Sequence, residues 1–188
     1  MDALLLIDTD DAEILVDIVG RTRTVGGVLI FASTKDELVD VDDEELSIFV
    51  PDEEDLVLRS EKPDVFDGIR DLAPGLHDMG IDRIVIAGGD VSTVANSEDA
   101  DALDGADAPD GAGSTDGADD ADAPDDTGAG DLPGSVRASA MAALVCNFDV
   151  VVLSDAVIDP EGQPVTWLDS AEEAGAMIKK TADTWLRM

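Results

Sequence analysis

The sequence predicts an α/β protein: a three-layer sandwich with a mostly parallel, Rossmann-like sheet. Short continuous apolar runs, such as residues 3–7 and 150–153, are typical of strands that are buried on both faces of a sheet. Other stretches, such as residues 12–23 and 136–144, place apolar side chains at helical spacing. Because strands and helices alternate along the chain, we expect parallel strands joined by crossover helices that cover both faces.

The N-terminal half begins with a predicted central strand. Residues 3–7 end at Asp8, so this strand delivers a carboxylate at its carboxyl end. Asp10 or Asp11 can then cap the N-terminus of a helix over residues 12–23. The core face of this helix is predicted to comprise Ile14, Leu15, Ile18 and Val19. Further strands are predicted at residues 28–32, at residues 46–50 on a sheet edge, and at residues 56–58.

The C-terminal half continues the alternation. Residues 69–79 predict a helix that Pro74 either kinks or divides in two. A longer helix begins at Ser135, and a last helix is capped by Asp169 or Ser170. The core face of the last helix is predicted to comprise Ala174, Met177, Ile178, Ala182 and Trp185. Strands are predicted at residues 83–87, 150–153 and 165–168.

This arrangement also predicts where a ligand would bind. In open parallel sheets, ligands bind beyond the carboxyl ends of the strands and at helix N-termini. Here that place is the sheet edge at Gly88 and the helix start at Gly134 and Ser135.

The charge of the chain limits its partners. The sequence has 45 acidic and 11 basic residues, a net charge of −34, which would repel nucleic acids and anionic membrane surfaces. A small-molecule ligand and a second copy of the chain, as a homo-oligomer, remain as partner classes. The acidic, lysine-poor composition also indicates adaptation to high intracellular salt, in which charge repulsion is screened.

Length and cysteine content set further expectations. Residues 1–188 are sufficient for a single domain with one core. Cys146, the one cysteine, excludes an internal disulfide and is expected to be a packing residue. The sequence shows neither a signal peptide nor an apolar run near 18 residues, so we expect a cytoplasmic protein. No cofactor or metal site is predicted.

Residues 97–130 form an acidic insertion of low complexity, dominated by Asp, Ala and Gly. Such a segment has too little apolar surface to offset the entropy of ordering, so we expect it to be disordered. Two roles remain open for it: a solvated insertion, which a loop tolerates at small entropic cost, or a lid or partner-binding segment.

Four stretches resemble the isochorismatase-like hydrolases, the cysteine hydrolase superfamily that includes nicotinamidases and isochorismatases. They are, in family order, LLLIDTDD at residues 4–11, DLVLRSEKPDVFDGI at 55–69, GIDRIVIAGG at 80–89 and SVRASAMAALVCNFDVVVLSDA at 135–156. The fourth is similar to the CVRATA-type nucleophile helix of that family and to the strand after it. Residues 33–52, the acidic insertion and the final helix lie outside the resemblance.

The resemblance implies a catalytic aspartate, lysine and cysteine, of which only the aspartate is kept. Asp8 matches the aspartate, which acts as general acid or base. The lysine position falls on Ser60, with Lys62 as a displaced candidate, and the cysteine position falls on Ser135. A serine hydroxyl needs a nearby general base to act as a nucleophile. The metal-binding Asp and His cluster of the nicotinamidases is also missing.

Each candidate catalytic residue therefore has an alternative structural interpretation. Asp8 acts as a catalytic acid, or its carboxylate accepts hydrogen bonds from the N–H groups at a helix N-terminus. Ser135 is a nucleophile or a plain helix cap. Lys62 is a displaced catalytic lysine or a solvated loop residue. Two functional hypotheses follow: a hydrolase with an altered site, or a non-catalytic member of the fold that binds a small ligand or a protein.

Overall fold

The described strands form one six-stranded sheet in which all neighbouring strands run parallel. The structure is a computed structural model and describes residues 1–9, 13–34, 51, 53–90, 133–159, 162 and 164–186. The strands are β1 (Asp2–Ile7), β2 (Val28–Ser33), β3 (Leu56–Arg59), β4 (Arg83–Gly89), β5 (Asp149–Ile158) and β6 (Met177–Lys179), in the spatial order β3-β2-β1-β4-β5-β6. The predicted helix caps at Asp10 and Asp11, the predicted strand 46–50 and the insertion 97–130 lie outside the described residues.

Helices cover both faces of this sheet, which confirms the predicted three-layer α/β fold. They are α1 (Val16–Val25), α2 (Val65–Gly68), α3 (Leu72–Asp78), α4 (Ser135–Val145) and α5 (Leu168–Ala174). One face packs Leu4 and Leu6 of β1 against Ile18 of α1. The opposite face packs Leu5 and Ile7 of β1 in a larger cluster that includes residues of α3, α4 and α5. The alternation of side chains along β1 therefore divides the core into two layers.

The N-terminal helix differs in detail from its prediction. Glu13–Leu15 form a 3₁₀ turn before α1, and Ile14 is exposed although it was expected on the core face. The tighter turn rotates this side chain away from the sheet. The second predicted helix, residues 69–79, is observed as α3, which begins at Leu72 and runs through Pro74 without a break, so Pro74 does not divide it. The short helix α2 ends at Gly68, before the predicted start, and was not predicted. Pro74 lies in the first turn of α3, where a backbone N–H has no partner within the helix.

The C-terminal segment corrects the sequence prediction most. Residues 165–168 are not a strand, because Leu168 already begins α5. The predicted last helix ends at Ala174, where Gly175 takes a left-handed conformation with φ 112°. Met177 and Ile178 belong to strand β6 and not to the helix, and Trp185 is 73 % exposed. The apolar spacing continued across Gly175 in the sequence, but the glycine stops the helix.

The carboxyl ends of β1 and β4 approach each other closely. The register pairs Ile7 with Gly88. A Cβ atom at Gly88, which has a φ of 133°, would lie 1.8 Å from the carbonyl oxygen of Ile7. A glycine is therefore required at residue 88, and its absent side chain brings the end of β4 against the end of β1.

Candidate active site

The candidate site lies where three parallel strands end and one helix begins. β1 ends before Asp8, β2 ends at Ser33, and β4 ends before Asp90. Helix α4 begins at the same edge of the sheet, since the hydroxyl of its first residue, Ser135, contacts both Asp8 and Gly89. A carboxylate, from Asp8, and a hydroxyl, from Ser135, therefore lie at the sheet edge where the sequence predicted a ligand site.

Asp8 is held by hydrogen bonds from the end of β2. Its Oδ1 accepts a hydrogen bond from the backbone N–H of Thr34 at 2.8 Å, and the Ser33 hydroxyl lies 3.4 Å away. Its Oδ2 accepts from Thr34 Oγ1 at 2.5 Å, and Ser135 Oγ lies 3.2 Å away. Asp8 is only 6 % exposed, and its backbone has a left-handed φ of 49°. The carboxylate is thus fixed by donors from two elements, the end of β2 and the first residue of α4.

Ser135 is the first residue of α4 and is completely buried. Its hydroxyl oxygen lies 2.9 Å from the carbonyl oxygen of Gly89 and 3.2 Å from Asp8 Oδ2. A hydroxyl has one proton to donate, so these two acceptors share it. The N-cap residue of α4 is Gly134, so Ser135 occupies the first helical position and not the cap position.

Asp90 supplies the missing cap, and the sequence analysis did not identify it. Its Oδ1 accepts hydrogen bonds from the backbone N–H groups of Val136 and Arg137, each at 3.0 Å. Its Oδ2 accepts a hydrogen bond from Trp167 Nε1 at 2.6 Å. Gly134 leaves room for this carboxylate, since a Cβ there would lie 2.2 Å from Asp90 Oδ1. The sequence signal that could have identified this cap is the position of Asp90, directly after a strand that ends in Gly88-Gly89.

The lysine position of the resemblance is filled by a buried serine. Ser60 is 1 % exposed, and its hydroxyl donates to the backbone carbonyl of Lys62 at 2.6 Å. The same oxygen accepts from the Lys62 N–H at 3.2 Å. Ser60 also packs against Gly68, where a Cβ would lie 1.8 Å from the serine oxygen. Ser60 therefore stabilises the turn after β3 and has no chemical group that could replace an ammonium.

Lys62 does not join Asp8 and Ser135. Its ammonium pairs with Asp67 at 2.6 Å on the protein surface, and both side chains are more than half exposed. The hydrogen bond and charge of Asp67 raise the pKa of Lys62. This contact matches the solvated alternative of the sequence analysis. The structure brings together two of the three predicted site residues.

A groove of about 490 Å³ lies between α2 and α4. Its walls are formed by Asp64, Phe66, Asp67, Ala138, Met141, Ala142, Val145 and Cys146, so Asp8 and Ser135 do not line it.

Two residues of the groove wall have further roles. Asp64 caps α2 by accepting a hydrogen bond from the N–H of Phe66, and burial raises the pKa of its carboxyl. Cys146 is partly buried against the core, as expected of a packing residue.

The described residues contain neither a cluster of metal-binding side chains nor a helix that could span a membrane. No group of three or more His, Cys, Asp or Glu side chains within those residues is arranged to hold a metal ion. None of the described helices combines the length and apolar character needed to cross a membrane.

Comparison with solved structures identifies the fold. N-carbamoylsarcosine amidase from Thermoplasma acidophilum superimposes with a TM-score of 0.54 at 20 % identity, over 97 % of this chain and 98 % of that one. The nicotinamidase from Staphylococcus aureus gives 0.59 at 15 % identity, over 95 % and 97 %. An isochorismatase-like hydrolase from Alkaliphilus metalliredigens gives 0.56 at 15 % identity, over 96 % and 95 %.

The chain has the isochorismatase-like hydrolase fold. The resemblance noted in the sequence is thereby confirmed at the level of the fold, and nearly the whole length of each solved structure is matched. No protein-family model and no curated protein matches the sequence. Identities of 20 % or less establish a shared architecture, and a shared architecture does not determine an activity.

Proposed function

We propose that the protein is a non-catalytic binding member of the isochorismatase-like fold, with a degenerate triad in which Asp8 is kept and the lysine and cysteine are replaced. The binding site in this proposal is the carboxyl edge of the sheet near the start of α4. Sheets of this type bind small molecules at that edge even where the chemistry differs.

The burial of Ser135 carries the proposal. A nucleophile must reach the substrate carbonyl, and this hydroxyl is 0 % exposed and shares its proton between Gly89 and Asp8. It also needs a base that takes its proton. The one histidine of the sequence, His77, stacks on Phe148 at 4.1 Å, and its Nε2 lies 2.9 Å from the carbonyl oxygen of Cys146. The imidazole is therefore engaged in packing and cannot serve Ser135.

The surroundings of Asp8 support the same proposal. Within the described residues, its partners are hydroxyl and amide groups of Ser33, Thr34 and Ser135, and no ammonium or guanidinium group is among them. A hydrolase of this family type uses a lysine next to the aspartate, and Ser60 has no charge to offer. The amides of Val136 and Arg137 at the start of α4 are occupied by Asp90, so they are not free to stabilise an oxyanion.

A second function, a hydrolase with an altered site, is favoured by one observation. Asp8 Oδ2 lies 3.2 Å from Ser135 Oγ, within reach of a proton transfer. The solved structures that share the fold include an amidase and a nicotinamidase by name, which makes amide hydrolysis the reaction to test first.

Activity assays separate the two functions. Nicotinamide, isochorismate, and simple amides and esters are incubated with the protein in molar KCl, in parallel with Asp8→Asn and with Asp71→Asn as control. Asp71 is an exposed residue with a left-handed φ of 63°, which asparagine adopts readily, so the control removes a surface carboxylate without altering the fold. We expect no turnover by any of the three proteins. Turnover that Asp8→Asn abolishes and Asp71→Asn retains would establish the hydrolase and exclude the non-catalytic function.

A further inference from the structure

The groove between α2 and α4 exposes an apolar stripe of helix α4. The residues on this stripe are spaced three and four apart, and Met141 and Val145 are 39 % and 81 % exposed. The opposite stripe of the same helix, with Val136 and Ala140, is completely buried in the core. A helix that covers a sheet usually has polar residues on its outer side. Helix α4 has Arg137 as its one charged residue among 11, so apolar surface of this helix remains uncovered by the described residues.

Helix α2 supplies the other wall of the groove. Phe66 of this helix lines the groove and packs against the core, with its ring centroid 5.9 Å from that of Phe148. At about 490 Å³ the groove falls within the range of small-molecule sites, about 300–1,000 Å³. Such sites combine apolar walls with a few polar groups that orient the ligand. The size and the walls therefore fit a small molecule with an apolar body.

Two carboxylates, from Asp64 and Asp67, are the charged groups among the described residues that line the groove. Lys62 pairs with Asp67 at 2.6 Å and offsets its charge, but Lys62 itself does not line the groove. Asp64 is partly buried, and its carboxylate accepts a hydrogen bond from the N–H of Phe66 at 2.8 Å. Burial raises the pKa of its carboxyl, because the charged form is less well solvated there. A cation beside Asp64 would stabilise the carboxylate, whereas an anion would be repelled.

We propose that the groove is a second binding site, for a small molecule that has a cationic nitrogen on an apolar body, such as an alkylammonium ion. The apolar walls hold the body, and Asp64 pairs with the nitrogen. The site is independent of the proposed function at the sheet edge, because Asp8 and Ser135 do not line the groove. A second copy of this chain is a poorer occupant, since it would bring together two proteins that each have a net charge of −34.

Cys146, the one cysteine of the sequence, lines the groove and provides the readout. Its alkylation by iodoacetamide, a neutral reagent, slows when a ligand covers it. Three ligands with the same alkyl chain are compared: hexylammonium, hexanol and hexanoate, at neutral pH and at constant ionic strength set with KCl. The concentration of each ligand that halves the alkylation rate gives its apparent affinity.

The ligands are tested on four proteins: the parent, Asp64→Asn, Asp17→Asn and Val145→Ser. Asparagine at residue 64 keeps an oxygen that can accept the N–H of Phe66, and it removes the charge. Asp17 is an exposed residue of α1, which covers the opposite face of the sheet, so Asp17→Asn removes a carboxylate away from the groove. Val145 is 81 % exposed, so its substitution by serine removes apolar surface of the groove and leaves the core intact.

We expect hexylammonium to bind the parent about two- to fivefold more tightly than hexanol, the range for a partly exposed ion pair, and hexanoate to bind least. In Asp64→Asn the advantage of hexylammonium over hexanol should disappear, and in Asp17→Asn it should remain. Val145→Ser should weaken the binding of all three ligands, because they share the apolar contact.

Three results would overturn the proposal. Hexylammonium that does not protect Cys146, or protects it no better than hexanol, would exclude a cationic ligand. An unchanged preference for hexylammonium in Asp64→Asn would show that general attraction to the acidic protein, and not Asp64, selects the cation. An alkylation rate that falls with rising protein concentration in the absence of ligand would assign the groove to a second copy of the chain. Hydrolase activity in the assays above would alter none of these outcomes.

Discussion

Ser135 Oγ lies 3.2 Å from Asp8 Oδ2, so the first residue of helix α4 contacts the carboxylate that follows strand β1. The same oxygen lies 2.9 Å from the carbonyl of Gly89 at the end of β4. The Ser135 hydroxyl therefore links the ends of the neighbouring strands β1 and β4 to the start of helix α4. In the resemblance this position belongs to the nucleophile, and here its hydroxyl is completely buried between two acceptors.

Ser135→Ala should destabilise the fold by about 1–2 kcal/mol, because it removes a buried donor and leaves its acceptors with one partner fewer. Urea unfolding in molar KCl measures the change. Ser154→Ala is the matched control, since that hydroxyl makes only a long 3.4 Å contact with the carbonyl of Lys179. An equal, negligible effect in both variants would show that the Ser135 contacts are not structural.

Restoring the family's chemical groups with Ser60→Lys and Ser135→Cys should not produce an amidase. Ser60 is 1 % exposed and packs against Gly68, so a lysine there adds volume and charge to a closed position, at a cost of at least about 3 kcal/mol. We expect the double variant to unfold at lower denaturant concentration than Ser135→Cys alone, and to hydrolyse no nicotinamide.

The cysteine variant also has a chemical readout. In a Cys146→Ser background, Ser135→Cys should react slowly with iodoacetamide in the native state and rapidly once unfolded, because residue 135 is completely buried. Fast alkylation of the native protein would mean that the site is open. In the double variant with Ser60→Lys, nicotinamide turnover would show that a lysine at residue 60 reaches Asp8.

Deletion of residues 97–130, bridged by a short Gly-Ser linker, should leave the fold intact, as expected of a disordered insertion within one domain. Asp90 and Gly134 border the stretch that contains these residues, and the Asp90 carboxylate bonds to the first turn of α4 directly. The two chain segments that flank the deletion are thus held together by hydrogen bonds that do not involve the deleted residues. Circular dichroism and thermal melts in molar KCl check this, and loss of folding would mean that the insertion packs against the domain.

Lowering KCl from 1 M to about 0.1 M should lower the melting temperature of the protein. The net charge of −34 is screened within about 3 Å at the higher salt and about 10 Å at the lower, so carboxylates repel over a longer range. Thermal melts at several KCl concentrations measure the effect. A melting temperature that does not change with salt would remove the argument for adaptation to high salt.

Asp64→Asn should gain stability relative to the native protein as pH rises from about 3 to about 6. Burial raises the pKa of Asp64 in the folded state, so folding favours the neutral carboxyl, and that contribution is lost as the pH rises through the folded pKa. Asparagine still accepts the N–H of Phe66 and carries no charge. Asp71→Asn controls for removing a nearby surface carboxylate, and the same pH dependence in both variants would contradict the assignment to burial.

Local pattern was enough to predict strands β1 to β5 and helices α1, α3 and α4, because apolar runs and apolar residues at helical spacing indicate buried segments. Helix α2 was not predicted. It also placed Asp8 and Ser135 near each other, since the carboxyl ends of parallel strands share one edge. Pattern was not enough at the C-terminus, where helical spacing continued past Gly175 while the backbone turned into β6. The glycine allows the left-handed turn, but the free edge of β5 determines that the chain then pairs as a strand.

The sequence by itself determined the fold class and the acidic character, because each is a property of residue types along the chain. Only the tertiary structure decided what the residues at the positions of the predicted triad contact. Ser60 caps a turn, Lys62 pairs with Asp67 at the surface, and Asp90 fills the start of α4 across 46 residues of sequence. Hydrogen bonds of this kind depend on where side chains meet in space, which residue spacing along the chain does not specify.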